Sequence, residues 1–152
     1  DPAAFAFPRP MLRDSGLDFS FSGLKTAVLY CVEKLEETSE ISEKVPDISA
    51  GFQAAVAEVL AEKSRRAVAL SRLERLALAG GVIANKCVRE TIGNRAGCET
   101  FAPPPELCLD NGAMTAAAGY HRYLAGRLAD MSLNADPNLR LSSELWKKSR
   151  QQ

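Results

Sequence analysis

Residues 76–85 read Leu-Ala-Leu-Ala-Gly-Gly-Val-Ile-Ala-Asn. Four apolar residues without alternation suit a short strand covered on both faces. Two glycines then strip the backbone of side chains at the strand's end. A ligand can come close there, and a following helix presents free N–H groups and the positive end of its dipole. In open α/β sheets this is the place where ligands sit. A second stretch, Cys108-Leu109-Asp110-Asn111-Gly112-Ala113-Met114, has the same form, an acidic loop leading into a helix. The two loops are expected to face one another across one cleft. Each also has a plainer explanation: Gly80-Gly81 as a tight turn, and Asp110 as a helix N-cap.

The chain of 152 residues is long enough for one domain with a real core. Its net charge of zero excludes a global basic field for nucleic acid, so such a partner needs a local patch or another subunit. No apolar run is long enough to span a membrane, and no signal peptide is expected. Cys31, Cys87, Cys98 and Cys108 are widely spaced without a C-x-x-C pair, which points to reduced core thiols in a cytoplasmic protein. The chain opens Asp1-Pro2-Ala3-Ala4 without an initiator methionine, and we expect a piece of a longer protein.

Along the chain, Leu17, Phe19 and Phe21 alternate with Asp18 and Ser20, which predicts a half-buried strand ended by Ser22-Gly23, with Ser22 as a helix cap. Leu24, Ala27, Val28, Cys31, Val32 and Leu35 predict a helix over 23–38. Residues 36–44 are charged and read as a surface connection, with a new helix starting at Pro46-Asp47. Its apolar stripe runs from Ile48 to Leu70, about 24 residues or about 36 Å. Lys63, Ser64, Arg65 and Arg66 on it form either a solvated face or a phosphate contact. After the glycines a helix is expected over 84–94 with Val88 and Ile92 inward, then a short strand over 98–101. Asn85, beside the glycines, is placed either to bond a ligand's sugar or phosphate or to cap its own helix. A small-residue helix follows over 111–126. His121, the only histidine, stands about 16 Å along it from Asp110, too far to share a metal. Asp136-Pro137-Asn138 reads as a turn, and residues 129–152 as a tail that frays or docks elsewhere.

Three blocks together resemble one family. Phe7-Pro8-Arg9-Pro10-Met11 with Leu17-Asp18-Phe19-Ser20-Phe21-Ser22-Gly23-Leu24-Lys25-Thr26, then Ala79-Gly80-Gly81-Val82-Ile83-Ala84-Asn85, then Cys108-Leu109-Asp110-Asn111-Gly112-Ala113-Met114, are similar in content and order to the C-terminal half of TsaD (older name Gcp). These are transferases that make N6-threonylcarbamoyladenosine in tRNA. The resemblance covers Phe5 to about Gly126. It implies a helix-rich α/β fold, the second lobe of the actin/Hsp70/sugar-kinase (RNase H-like) architecture, over residues 1–128 and without its N-terminal lobe. It implies threonylcarbamoyl-adenylate as donor, tRNA as acceptor, accessory proteins as partners and no membrane.

It further implies that Asp110 is one ligand of a divalent metal, iron or zinc, completed by two histidines of an H-x-x-x-H motif in the missing N-terminal part. Asn85 would contact the donor's nucleotide, with Gly80 and Gly81 as the close-approach glycines. No catalytic nucleophile is implied, because the carbamoyl donor arrives activated. The chain departs from the family in having no H-x-x-x-H, in reading Cys-Leu-Asp where Cys-Thr-Asp is more usual, and mildly at Val82-Ile83-Ala84. The isolated chain is therefore expected to be inactive. Three other readings compete: a different actin-like nucleotide-binding or kinase lobe; a glycoprotease-like metalloprotease, which needs a metal and a general base that are incomplete here; and a partner-binding role through the lobe's surface with catalysis lost.

Overall fold

A computed structural model describes residues 1–135 and Pro137. The chain divides into two compact units, Asp1–Asn111 and a second beginning at Gly112. The first carries α1 (Ser22–Glu37), α2 (Ile41–Ser71), β1 (Arg75–Ala77), a 3-10 turn (Gly81–Ala84), α3 (Lys86–Arg95), β2 (Glu99–Phe101) and a second 3-10 turn (Pro105–Leu107). The second carries α4 (Gly112–Leu124), no residue of which is buried. Asp136 and Asn138 of the turn expected at 136–138, and most of the expected tail, lie outside the described residues.

The helix-rich α/β expectation holds. β1, α3 and β2 form a βαβ unit in which the strands pair in parallel, Arg75 opposite Glu99 and Ala77 opposite Phe101. Such a pair needs a crossover, and α3 supplies it. Two apolar clusters hold the unit together. Ala57 and Ala61 of α2 pack with Leu78, Ile83, Val88, Ile92 and Cys108. Leu24 of α1 packs with Phe7, Ile48 and Ala55, flanked by Ala27, Val28, Cys31, Val32 and Leu35, the stripe read from the sequence. Gly51 lets the N-terminal segment lie close on α2: a Cβ there would be 3.2 Å from the Phe5 carbonyl oxygen and from the Phe7 ring.

Several expectations are corrected. Residues 17–21 form no strand; Leu17 is 42% and Phe19 50% exposed. Alternation licenses a strand only where a neighbour completes the ladder, and no strand pairs with this segment among the described residues. Ser22 is the first residue of α1 rather than its cap, and its hydroxyl meets that of Ser20 at 3.0 Å. α2 begins at Ile41, not Pro46, and runs for 31 residues, so most of the charged connection is helix. Pro46 lies inside it, past the first four residues whose N–H groups have no intrahelical partner, so the one bond a residue there would donate to Ser42 is missing. Nor is β1 covered on both faces: Leu76 is half-buried, while Arg75 and Ala77 are exposed.

Candidate functional site

The two loops singled out by their sequence meet. Leu78 N–H donates to the Phe101 carbonyl at 2.7 Å, and the chain then leaves β1 into Gly80. Gly80 has φ 95° and ψ 162°, a conformation essentially restricted to glycine. This turn redirects the backbone into the 3-10 turn, where Ile83 N–H closes on the Gly80 carbonyl at 3.0 Å. Gly81 is pressed against the other loop: a Cβ built on it would stand 3.1 Å from Leu109 Cδ2. The two 3-10 turns also touch. Leu109 is the residue before Asp110, so the bare turn and the acidic loop are neighbours, as the cleft requires.

The acidic loop is anchored from below. Cys108 is buried in the core, and its thiol lies 3.6 Å from the Pro104 carbonyl oxygen and 3.7 Å from that of Pro103. Asn111 Nδ2 donates to the Leu109 carbonyl at 2.9 Å. Asp110 itself is exposed. All four cysteines are free thiols.

Asn85 caps its own helix. Its Oδ1 accepts from Val88 N–H at 3.1 Å, and its Nδ2 donates to Gln53 Oε1 of α2 at 2.9 Å. α3 consequently starts at Lys86, and the 3-10 turn occupies the residues before it. The capped amide retains a second N–H and a second lone pair. It lines a polar hollow of about 460 Å³ with Gln53, Lys86, Glu90 and Asn94.

The basic cluster on α2 is engaged within the fold. Lys63 is 4% exposed, and its ammonium donates to the carbonyls of Gly16 at 2.6 Å and Asp14 at 3.3 Å. Arg66 donates to the carbonyls of Asp14 and Leu12, and both Arg65 and Arg66 pair with Glu62. Those two guanidiniums hold the Glu62 carboxyl down at about 2. These side chains fasten residues 12–16 to the helix. Sequence alone did not reveal this clasp, because the acceptors are backbone carbonyls whose position no residue type announces.

Among the described residues no three His, Cys, Asp or Glu side chains converge. His121 lies in the second unit, its ring 5.9 Å from that of Tyr120. Among the described residues no helix is long and apolar enough to cross a membrane.

A strand, a side-chain-free turn and an acidic loop brought together over a βαβ unit define a helix-rich α/β module. Comparison with known proteins narrows the class. The sequence model of the TsaD family, described as tRNA N6-adenosine threonylcarbamoyltransferase, matches residues 1–117. The chain is 44% identical over 142 residues to a Thermotoga neapolitana protein of that name, covering 91% of this chain and 42% of the relative. It is 50% identical over 142 residues to one from Paracoccus denitrificans, covering 90% and 40%. A third, from Moorella thermoacetica, is 45% identical over 147 residues, covering 93% and 42%. The chain belongs to the TsaD family, and it spans about two-fifths of the length of these relatives.

Proposed function

We propose that this chain is the second lobe of an actin/Hsp70-type transferase. The whole enzyme moves the threonylcarbamoyl group from threonylcarbamoyl-adenylate to N6 of an adenosine beside the tRNA anticodon, in the cytoplasm and with accessory proteins. The observation that carries this reading is the contact of Gly81 with Leu109, which makes one surface of the glycine turn and the Asp110 loop. In this reading the donor's adenylate lies over Gly80 and Gly81, where no side chain intervenes. Among the described residues neither Gly81 N–H nor Val82 N–H donates to another backbone group, so both are available to an anion such as the donor's phosphate. The spare N–H and lone pair of Asn85 suit a ribose hydroxyl.

Asp110 supplies one ligand to an iron or zinc ion, and the H-x-x-x-H histidines of the family supply the others from outside this chain. A hard carboxylate suits such an ion, which when bound would act as a Lewis acid on the carbamoyl group. This chain alone cannot assemble that centre. Its own contribution is to hold the leaving adenylate and to place one carboxylate.

The test is a chimera in which this chain replaces the matched part of the Thermotoga neapolitana relative, assayed for threonylcarbamoyladenosine in tRNA by mass spectrometry. The chimera is expected to be active and the 152-residue chain inactive. Asp110→Asn should lower the chimera's rate by at least about 100-fold, the upper end of what losing even an outer partner of a metal ligand costs. An unchanged rate in Asp110→Asn, or modification by the isolated chain without metal, would overturn the reading.

A further inference from the structure

We infer that Gln53 of α2 is a positioning residue for the adenylate site: it holds the Asn85 amide in one orientation, so that the amide's spare N–H and lone pair meet the substrate's ribose already aligned. This role rests on the reading of Asn85 as a contact of the adenylate. One bond of Asn85 is not needed by its helix. An N-cap needs only its acceptor, and Asn85 Oδ1 supplies it by accepting from Val88 N–H at 3.1 Å. Serine or aspartate caps a helix as well, but of these residues only asparagine also carries an N–H₂ group. That group is engaged from another element: Asn85 Nδ2 donates to Gln53 Oε1 at 2.9 Å, across 32 residues of sequence.

The fold brings Gln53 to this place. It stands one turn before Ala57, which packs with Ile83 and Val88, so both share the α2 face turned to the start of α3. Bonds at the two ends of the Asn85 amide then fix its plane, Val88 on the oxygen and Gln53 on the nitrogen. With the first alone the group swings about a single contact. Among the described residues the bond to Asn85 is the one that the Gln53 side chain makes. Both side chains line the polar hollow, Gln53 half-buried and Asn85 exposed. Water reaches the exposed amide, so the bond adds little to stability. What it supplies is direction: a ligand meets a group whose rotational freedom is already spent, which is the benefit of preorganisation.

Two measurements test this role, one of them independent of transfer. In the 152-residue chain the Asn85 Nδ2 group should show an order parameter above about 0.6 by nitrogen relaxation, and Gln53→Leu should bring it below that value. In the chimera described above, Gln53→Leu should raise the KM for threonylcarbamoyl-adenylate about 3- to 10-fold, the worth of one neutral hydrogen bond, and leave kcat within about twofold. Asn85→Ser keeps a cap and loses the amide, and it should raise KM at least as far. Adding Gln53→Leu to Asn85→Ser should change KM by less than about twofold, because no amide is left to position. Effects that multiply in the double variant would overturn the proposal, since Gln53 would then act without Asn85. So would an Asn85 amide equally ordered with and without Gln53, or a loss that falls on kcat instead of KM. An unchanged KM in Asn85→Ser would overturn the reading of Asn85 and this role with it. A raised KM there beside an unchanged one in Gln53→Leu would overturn this role alone.

Discussion

Lys63 shows how far a single side chain can reach across this fold. Its ammonium is buried against two backbone carbonyls 47 and 49 residues away in sequence, with no carboxylate bonded to it among the described residues. Lys63→Met keeps the length and removes the donor, leaving both carbonyls without it. We expect a loss of about 1–3 kcal/mol, read from the urea midpoint. Gly80→Ala separates backbone strain from crowding. No atom lies within 4 Å of the added methyl, so the cost comes from φ 95° alone. We expect about 1–3 kcal/mol in the same measurement, with no change in m-value. The glycine turn was legible because glycine has a conformational reason to be there. Lys63 was not, since a Lys-Ser-Arg-Arg run looks the same on a solvated face as over a loop. Asn85 was legible as a pair of alternatives, and the cap is the one the geometry realises.

At the scale of elements, α2 is the spine on which α1, α3 and residues 12–16 are assembled. Its apolar stripe identified it, but Pro46 and the charges before it misplaced its start. Proline is favoured in the first turn of a helix, and here it stands beyond that turn, so the start it suggested falls five residues late. Residues 17–21 misled for the opposite reason: their alternation states which side chains share a face, while a strand also requires a partner. The clasp on α2 gives a pH prediction. Glu62 is held at about 2 in the folded protein against an ordinary 4.5, by Arg65 first and Arg66 next. A lowered carboxyl stabilises fully above the unfolded value and loses that contribution as pH falls toward the folded one. Stability should therefore decline between pH 4.5 and 2, and Glu62→Gln should flatten that decline in urea titrations. Some slope will remain, because Arg9 also lowers Glu58.

For the whole molecule, the governing fact is that about two-fifths of a family length folds into a βαβ unit with an open strand edge. The fold class and both site loops could be read from this portion, because each depends on local residues and a short crossover. The exposure of Arg75 and Ala77 could not, because the apolar run Leu76–Ala79 reads as a strand covered on both faces. The central claim is that the glycine turn and the acidic loop form one surface. It is tested most directly by nuclear Overhauser contacts in the methyl-labelled 152-residue chain. A cross-peak between the Leu109 δ-methyl and Gly81 α-protons is the predicted result. Gly81 protons that contact only their sequence neighbours, with Leu109 methyls in contact elsewhere, would contradict it.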